Sequence, residues 1–525
     1  MRSPLLALSL VAALGTAALA QEEDVLVLEK GVLELPNQAG PKEKALYANA
    51  YFSPYESLDQ RVIAALNLAK PGSVVYMSYY SISYAEYPKM FRKLKEKGVT
   101  LRLNLYEKEA VPSTKTMDDE LIADGFDVAL IPNLRNANGQ GSMHTKFTVV
   151  NDEIIVTGSA NLSASASLAN HEHVIVVQEK TLAKRYIEEF KEQRAAAQAM
   201  HDAMTPEELE SFNESYQDPF PADWDSSGRA EDLRKALVKI DRKTRNYNKR
   251  VQGWFSPEDA LDGRVSEQLR KAQKTIHVAM YTFVNSLVND LVDAARRGVQ
   301  VTVVADDHQQ AMESAEWVNQ KLEAEPNIRY IRANNHLGLY SAIHHKYAVI
   351  DGEVVCGGSY NWTGNATRYN DENLMVLRGR KVAQRFEKDF ASMLAEYDPD
   401  GPRIEFDREG QGGRLLFAVK LPFEVPRNLE VQVVITDAAG KARAVELRNS
   451  RSTGENWLGS TDVTSGEAMT WSVRIGDSKG LSGALQGEEA KLFVEAGEPR
   501  KLIAPAGGVP LIVHDAWKGD APKFD

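Results

Sequence analysis

The sequence contains very little cysteine and no excess of basic residues. Cys356 is the single cysteine in 525 residues, which excludes an intramolecular disulfide and any metal site built from several cysteines. Lys and Arg number 62 against 74 Asp and Glu, for a net charge of −12. Proteins that bind phosphate backbones without regard to sequence usually have a net basic face, so this balance counts against that class. A local basic pocket stays possible.

Long apolar runs are also scarce, apart from one at the N-terminus. Met1-Arg2 is followed by an apolar run from Pro4 to Ala17 and by the small-x-small pattern Ala18-Leu19-Ala20. This arrangement predicts a cleavable signal peptide over residues 1–20, cut after Ala20, and export to the periplasm or the medium. Since no second apolar stretch of roughly 20 residues follows, we expect no segment of the mature chain to stay in the membrane.

The remaining composition, 43% hydrophobic and 26% charged, is that of an ordinary globular protein of roughly three to four domains. Two parts of the chain repeat each other. Tyr51-Phe52-Ser53-Pro54 recurs as Trp254-Phe255-Ser256-Pro257, and each copy continues with alternating helix-like and strand-like runs. We predict two homologous α/β halves, at 45–200 and 251–398, which meet at one pseudo-two-fold axis. Alternation of strands and helices favours parallel sheets.

The segments outside the repeat are predicted from local pattern. Residues 21–44 form an N-terminal linker, and residues 201–250 form a helical connector in which Thr205-Pro206-Glu207-Glu208 is a typical helix start. From 401 to 525, short strand-like runs separated by turn residues predict a β-rich accessory domain, which we interpret as a β-sandwich. The predicted fold class is therefore α/β, with two homologous halves in one catalytic unit and a C-terminal β domain.

Each predicted half ends with a similar set of polar residues. The two sets are His144, Lys146, Asn151, Ser159 and Asn161, and His344, Lys346, Asp351, Ser359 and Asn361. Residues i and i+2 of a strand project from one face, so each histidine lies beside its lysine. Two-residue turns predicted at Asn151-Asp152 and Asp351-Gly352 would return the chain, so that serine and asparagine reach the same end.

This combination of groups suits a phosphodiester substrate. One imidazole can attack phosphorus while ammonium, hydroxyl and amide groups hold the non-bridging oxygens. The second imidazole, when protonated, can donate a proton to the leaving alkoxide. Glu172 and Glu372 each follow their histidine by 28 residues and could orient a ring through Nδ1. Two lysines supply positive charge, so we expect no metal or other cofactor.

The paired motifs resemble the phospholipase D superfamily, whose pattern HxK(x)4D(x)6GSxN occurs twice. The resemblance covers most of residues 45–395, and Trp362-Thr363 is most similar to the branch of bacterial endonucleases and mitochondrial cardiolipin hydrolases. It implies that one histidine, with His144 favoured, forms a covalent phosphohistidine while the other acts as acid and then base. The candidate catalytic residues are His144, Lys146, Ser159, Asn161, Glu172, His344, Lys346, Asp351, Ser359, Asn361 and Glu372.

One position departs from this pattern, because Asn151 stands where the family has Asp. If that carboxylate has to be charged, the first half is impaired. In the alternative interpretation the residue serves the turn, where Asn is as suitable as Asp. We therefore predict that Asn151→Asp changes activity little.

The resemblance implies a phosphoric diester hydrolase of the phospholipase D type, with its active site complete within one chain. The favoured substrate is a phospholipid at a membrane surface, hydrolysed to phosphatidate and a free head group. A metal-independent nuclease is the alternative, which the branch resemblance favours and the acidic balance disfavours. A non-enzymatic binding protein with a degenerate first motif is a third hypothesis, motivated by Asn151 alone.

Histidine and cysteine residues outside the motifs have plainer interpretations. His345 is expected to face outward, because its neighbours occupy the active face. Cys356 lies in an apolar run and is expected to be a small core residue. His171 and His173 flank Glu172 and would make a pair of metal ligands, but the sequence shows no third ligand.

Two further groups keep two interpretations each. Asp306-Asp307-His308 follows a strand and lies either in the cleft or in a solvated loop. The tyrosines at 76, 79, 80, 84 and 87 form either a rim for lipid or bases or half-buried packing.

Overall fold

The computed structural model describes residues 47–107, 117–133, 141–208, 248–339, 341–402, 413–426, 429–450, 453–463, 466–477, 494–503 and 510–517. The predicted signal peptide, the N-terminal linker and most of the predicted connector lie outside these residues. No helix within the described ranges has both the length and the apolar character needed to cross a membrane.

The first half is built on a seven-stranded sheet with the strand order β1-β7-β6-β5-β2-β3-β4. Its strands are β1 Tyr47–Ser53, β2 Val74–Tyr79, β3 Thr100–Tyr106, β4 Asp127–Ile131, β5 Lys146–Val150, β6 Ile154–Gly158 and β7 Glu172–Gln178. Its helices are α1 Leu58–Asn67, α2 Glu86–Glu96, α3 Asp118–Ala123, α4 Ala164–Leu168 and α5 Lys180–Ala203. Just beyond α5, Thr205 and Glu208 exchange the two hydrogen bonds of a capping box, which confirms the predicted helix start.

The second half repeats this arrangement, with the strand order β11-β10-β9-β12-β13-β14-β8. Its strands are β8 Val251–Ser256, β9 Thr275–Met280, β10 Gln300–Asp306, β11 Ile328–Ala333, β12 Lys346–Ile350, β13 Val354–Gly358 and β14 Glu372–Arg378. Its helices are α6 Leu261–Lys271, α7 Leu287–Arg296, α8 Asp307–Gln310, α9 Glu316–Ala324, α10 Gly364–Arg368 and α11 Arg380–Tyr397, with a 3₁₀ turn at Glu313–Ala315.

Both sheets are mixed, so the expectation of parallel sheets is only partly correct. Strands β2, β3 and β4 are parallel, as are β9, β10 and β11. The other strands of each sheet pair antiparallel. In the pairs β5–β6 and β12–β13 the reason is the tight turn between the strands, because a connection of three residues can only join antiparallel strands.

The two halves share one hydrophobic core. It joins residues of β5, β7 and α5 to residues of β12, β14 and α11, while each half keeps a second core on its outer side. Phe386 of α11 lies at the centre, with ring centroids 4.9 Å from Phe52 of the first half and 4.9 Å from Tyr347 of the second. Such aromatic pairs each contribute about 0.5–1.5 kcal/mol beyond area burial. This shared core fixes the edges of the two sheets against each other.

The C-terminal residues form two further sheets, with strand orders β18-β15-β21 and β17-β16-β19-β20. The strands are β15 Gly413–Lys420, β16 Leu429–Asp437, β17 Ala442–Leu447, β18 Asn456–Val463, β19 Ala468–Asp477, β20 Val494–Ile503 and β21 Pro510–Ala516. Side chains of both sheets form one cluster around Phe417 and Trp471. The region contacts the first half through an ion pair of 3.0 Å between Arg448 and the buried Asp59.

Candidate active site

Two β-hairpins bring the polar motif residues together. Asn151 and Asp152 both have a φ of 55°, and Asp351 and Gly352 have 54° and 64°, so each hairpin turns through two left-handed residues as predicted. The returning strands end at Gly158 and Gly358, next to the lysines that begin β5 and β12.

Only glycine fits at the end of each returning strand. A Cβ at Gly158 would lie 2.1 Å from the carbonyl oxygen of His173, and one at Gly358 would lie 2.3 Å from that of Asn373. These close approaches let Ser159 and Ser359 accept hydrogen bonds from the backbone N–H groups of His173 and Asn373.

Each motif histidine is held by a carboxylate of the other half. His144 Nδ1 lies 2.8 Å and 3.0 Å from the two carboxylate oxygens of Glu372. His344 Nδ1 lies 2.7 Å from Glu172 Oε1. Both carboxylates are fully buried, whereas the histidine side chains stay 14% and 13% exposed. The contacts place a proton on each Nδ1 and leave Nε2 available for chemistry.

The carboxylates are themselves fixed from several sides. The Ser359 hydroxyl donates to Glu372 Oε2 at 2.6 Å, and the Asn370 amide donates to Oε1 at 3.0 Å. Asn170 donates in the same way to Glu172, at 3.2 Å. The serines were expected to bind a phosphate oxygen, but the Ser359 hydroxyl serves the carboxylate that orients His144.

The two motif lysines are buried beside the histidines. Lys146 Nζ donates to the carbonyl of His144 at 2.9 Å, and Lys346 Nζ donates to the carbonyl of His344 at 2.6 Å. Each ammonium also faces a tyrosine ring, 5.5 Å from the Tyr80 centroid and 4.8 Å from the Tyr281 centroid. The cluster therefore combines two oriented imidazoles with two buried lysine side chains, in an arrangement suited to a bound anion.

Both halves match the same family model, described as "Cardiolipin synthase, PLD-like domain", at residues 62–194 and 265–394. The two matches together make up half of the chain. The chain belongs to the phospholipase D-like family. The predicted resemblance is thereby confirmed, and so is the duplication of a phospholipase D-like half.

Three known proteins show how similar this chain is to other members of the family in sequence identity and in the length covered. The mitochondrial cardiolipin hydrolase of Xenopus tropicalis is 31% identical over 142 residues, which are 27% of this chain and 64% of that protein. A phospholipase D of Rickettsia felis is 23% identical over 169 residues, which are 31% of this chain and 80% of that protein. The solved structure of Nuc, a phospholipase D family member of Salmonella typhimurium, is 25% identical, covers 30% of this chain and 98% of that chain, and has a TM-score of 0.26. The chain thus spans less than two thirds of the length of the cardiolipin hydrolase.

In this phospholipase D-like site, burial shifts the titrating groups toward their neutral forms. Burial lowers the pKa of His144, although the neighbouring Glu372 opposes the shift. Burial, helped by Lys346 and Lys146, lowers the pKa of His344 well below its ordinary value. It raises the pKa of Glu172 to about 7 and lowers that of Lys346 to about 7. A neutral ring has the lone pair on Nε2 that a nucleophile needs, whereas a ring that acts as general acid has to bind a proton there.

The motif asparagines lie just beyond the strands. Asn161 and Asn361 are half-buried, and neither Oδ1 has a hydrogen-bond partner among the described residues. The residues after them are anchored, because Leu162 and Trp362 make isolated bridges to Ile82 and Phe283. Their side-chain amides are thus available to a ligand.

Asp351 does not join the cluster. It lies at the far end of β12 from Lys346, where its carboxylate accepts hydrogen bonds from the backbone N–H groups of 273–275 at 2.7–3.1 Å. Asn151 has the same place in the first half, accepting from Lys70 N at 3.0 Å and donating to the Leu68 carbonyl at 2.8 Å. We therefore remove Asp351 from the candidate catalytic residues. The turn interpretation of Asn151 agrees with this geometry.

The candidate site also includes two aromatic residues, Tyr80 and Tyr281, which the sequence analysis did not identify as a pair. Tyr80 and Tyr281 follow β2 and β9, whose last residues pair with Lys146 and Lys346. Their rings lie 5.3 Å from His144 and 4.5 Å from His344, edge to face. Aligning the two halves residue by residue would have found Tyr281. Of the other predicted rim tyrosines, those at 79 and 87 are buried in the core.

Burial decides three further predictions. His345 was expected to face outward, but it is fully buried between the halves, 3.0 Å from Asp389. Cys356 is buried in the outer core of the second half as predicted, and burial raises the pKa of its thiol to about 12. Asp306 is also buried and accepts a hydrogen bond from Ile343 N at 2.9 Å, so it supports the segment that leads into His344.

Proposed function

We propose that the protein is a phospholipase D-type phosphodiesterase that hydrolyses phospholipids to phosphatidate and a free head group. The observation that carries the proposal is the crossed pair of histidine–carboxylate contacts, with one buried lysine beside each histidine. A carboxylate holds Nδ1 of both rings, so Nε2 is the atom left to react, without a proton in the nucleophile and with a proton in the acid.

In the proposed first step, His144 Nε2 attacks phosphorus. A bond forms between nitrogen and phosphorus while the bond to the head-group oxygen breaks. His344, which enters this step protonated on both nitrogens, donates its Nε2 proton to the leaving alkoxide. Lys146 and Lys346 neutralise the phosphoryl oxygens. Glu372 stabilises the positive charge that His144 acquires when it is bonded to phosphorus.

In the second step, water hydrolyses the phosphohistidine. His344 Nε2 takes a proton from a water molecule, whose oxygen attacks phosphorus, and the bond between His144 and phosphorus breaks. Phosphatidate leaves, and both rings return to their starting state. We assign the nucleophile to His144 because both oxygens of Glu372 contact its ring and that carboxylate is fixed by Ser359 and Asn370.

A metal-independent nuclease is the second candidate function. Tyr80 stacks on Tyr106 at a centroid distance of 5.2 Å and lies beside His144, where a base could stack on its ring. The net charge of −12 counts against a nucleic acid, because a polyanion is repelled over a longer surface than one head group is. The third hypothesis, a degenerate binding protein, was motivated by Asn151 alone, and the hydrogen bonds of Asn151 support a role in the turn instead.

The deciding experiment supplies the purified protein with vesicles of cardiolipin or phosphatidylcholine, with single-stranded DNA in a parallel assay, and with a primary alcohol. We expect phosphatidate from the vesicles and a phosphatidyl-alcohol when the alcohol is present. His144→Asn and His344→Asn should each abolish turnover, whereas His308→Asn, an exposed residue of α8, should retain it. If the protein cleaves DNA and leaves the lipids intact, the phospholipase proposal is wrong and the nuclease is the supported function.

The setting of the enzyme is part of the proposal. We propose export through the signal peptide of residues 1–20 and peripheral action at a membrane surface. We also propose that the two C-terminal sheets form a β-sandwich that stabilises the halves. The ion pair between Arg448 and Asp59 and an apolar cluster of Tyr55, Leu337 and Leu416 support this role.

A further inference from the structure

A second cluster of titratable side chains lies between the halves, next to the candidate active site. His171 precedes Glu172, His345 follows His344, and Asp389 lies on α11. All three are buried, and one ligand atom from each residue lies within 4.8 Å of the others. We call His171, His345 and Asp389 the interface triad.

Each residue of the interface triad has one polar atom that forms no hydrogen bond. His171 Nδ1, His345 Nε2 and Asp389 Oδ1 are shielded from solvent and have no hydrogen-bond partner. A buried polar atom without a partner costs about 1–3 kcal/mol, so three of them in one place point to a ligand. A water molecule has two protons to donate, whereas a metal ion accepts lone pairs from all three atoms.

The other polar atom of each triad residue is held by an outer partner, as is usual for metal ligands. These contacts are His171 Nε2 to the Tyr397 hydroxyl at 3.0 Å, the Tyr347 hydroxyl to Asp389 Oδ2 at 2.8 Å, and His345 Nδ1 to His173 Nδ1 at 3.4 Å. With a proton on His171 Nε2 and on His345 Nδ1, each ring keeps its lone pair on the nitrogen that has no partner.

The spacing within the triad also fits a shared ion. His345 Nε2 lies 3.0 Å from the Asp389 carboxylate, measured to Oδ2, the oxygen that also accepts from Tyr347, and it forms no aligned hydrogen bond there. Two atoms bound to one zinc at about 2.0–2.1 Å lie roughly 3 to 3.4 Å apart. The remaining distances, of up to 4.8 Å, would contract on binding.

The charge of Asp389 points the same way. Among the described residues its ion-pair contact is with His345, and no Lys or Arg neutralises it. A buried carboxylate without a cation is costly, and a divalent ion would compensate its charge.

We propose that the interface triad binds one divalent transition-metal ion, and its two nitrogens and one oxygen favour Zn²⁺. His171 comes from the first half, and His345 and Asp389 come from the second. The ion therefore fastens the two halves together directly beside His344 and Glu172. This role is structural and does not depend on the proposed hydrolase activity.

The direct test is the metal content of the full chain. The protein is stripped with a chelator, incubated with Zn²⁺ or Co²⁺, freed of loose metal by gel filtration and analysed by mass spectrometry for elements. We expect one equivalent of zinc per chain, a Tm that rises with zinc concentration, and visible d–d absorption with cobalt. A chain that retains no metal and keeps the same Tm would overturn the proposal and leave a plain contact between His345 and Asp389.

A matched pair of variants locates the site. Asp389 and Glu387 are buried carboxylates on α11, and each faces a histidine, but Glu387 lies 2.6 Å from His277 Nδ1 in a satisfied hydrogen bond. We expect Asp389→Asn to lose zinc and Glu387→Gln to retain one equivalent. If Asp389→Asn does not fold, His171→Gln serves as the second variant, because it removes a proposed ligand that comes from the first half. Full zinc content in a folded variant of either triad residue would refute the assignment.

Discussion

The crossed contacts predict that loss of a carboxylate in one half disables the histidine of the other half. Glu372→Gln is the sharpest perturbation, because it keeps the volume of a fully buried side chain and removes its charge. Glu372 receives hydrogen bonds from His144, Ser359 and Asn370. An amide presents an NH₂ group where one oxygen stood, so at least one of these donors loses its acceptor.

The main loss in this variant is electrostatic. In the proposed intermediate the His144 ring carries a positive charge, which Glu372 neutralises through the Nδ1 contact. Two unit charges about 4 Å apart interact by about 4 kcal/mol at an effective dielectric constant of about 20. Since about 1.4 kcal/mol corresponds to a factor of ten in rate, we expect formation of the intermediate to slow by about a thousandfold.

The assay uses a p-nitrophenyl phosphodiester, whose leaving group needs no general acid, and acid quenching followed by peptide mapping of the phosphohistidine. Glu172→Gln is the matched variant, because it makes the same change at the equivalent position and acts on His344. We expect Glu372→Gln to lose the His144 label. We expect Glu172→Gln to form the label with a smaller loss and to accumulate it, because hydrolysis needs His344 as base.

The possible outcomes test two points separately: which histidine is the nucleophile, and which carboxylate acts on which histidine. If the wild-type label maps to His344, the roles are exchanged, and Glu172→Gln should then be the variant that loses it. If the label lies on His144 and Glu172→Gln abolishes it while Glu372→Gln does not, the crossed contacts are refuted. Wild-type labelling rates in both variants would refute the electrostatic reasoning itself.

Three further predictions concern residues outside the reaction. Asn151→Asp should leave kcat/KM unchanged and lower the free energy of unfolding by about 1 kcal/mol, because Asp cannot donate to the Leu68 carbonyl; a large gain in turnover would contradict the turn role. Asp351→Ala should cost about 1–2 kcal/mol in urea denaturation and leave kcat/KM intact, and a folded but inactive variant would return this residue to the catalytic set. Because burial raises the thiol pKa of Cys356 to about 12, we expect it to react with a disulfide reagent at pH 8 only after denaturation, and rapid labelling of the native chain would show otherwise.

Much of the site is predictable because it depends on short-range geometry. Strand alternation puts His144 beside Lys146, and the two-residue turn returns Ser159 to the same end. The carboxylate partners are a different matter. Both Glu172 and Glu372 are visible in the sequence as candidates, but which ring each one contacts is decided by how two sheets dock, and no local pattern encodes that.

His345 shows why the burial prediction failed. Alternation correctly placed it on the face opposite His344 and Lys346, and the prediction assigned that face to solvent. In the structure all residues of β12 are buried, because one face meets an outer core and the other meets the first half. A strand buried on both faces has a continuous apolar pattern, and Tyr347 to Ile350 shows it.

The crossed contacts also have a consequence for the making of the protein. His144 leaves the ribosome 228 residues before the carboxylate that orients it. At roughly 5–20 residues per second, this leaves an interval of roughly 10–50 s in which the first half is without its partner. A chain truncated before Glu372 never acquires it. Under the proposed mechanism, we therefore expect nascent chains and products that end before Glu372 to be inactive.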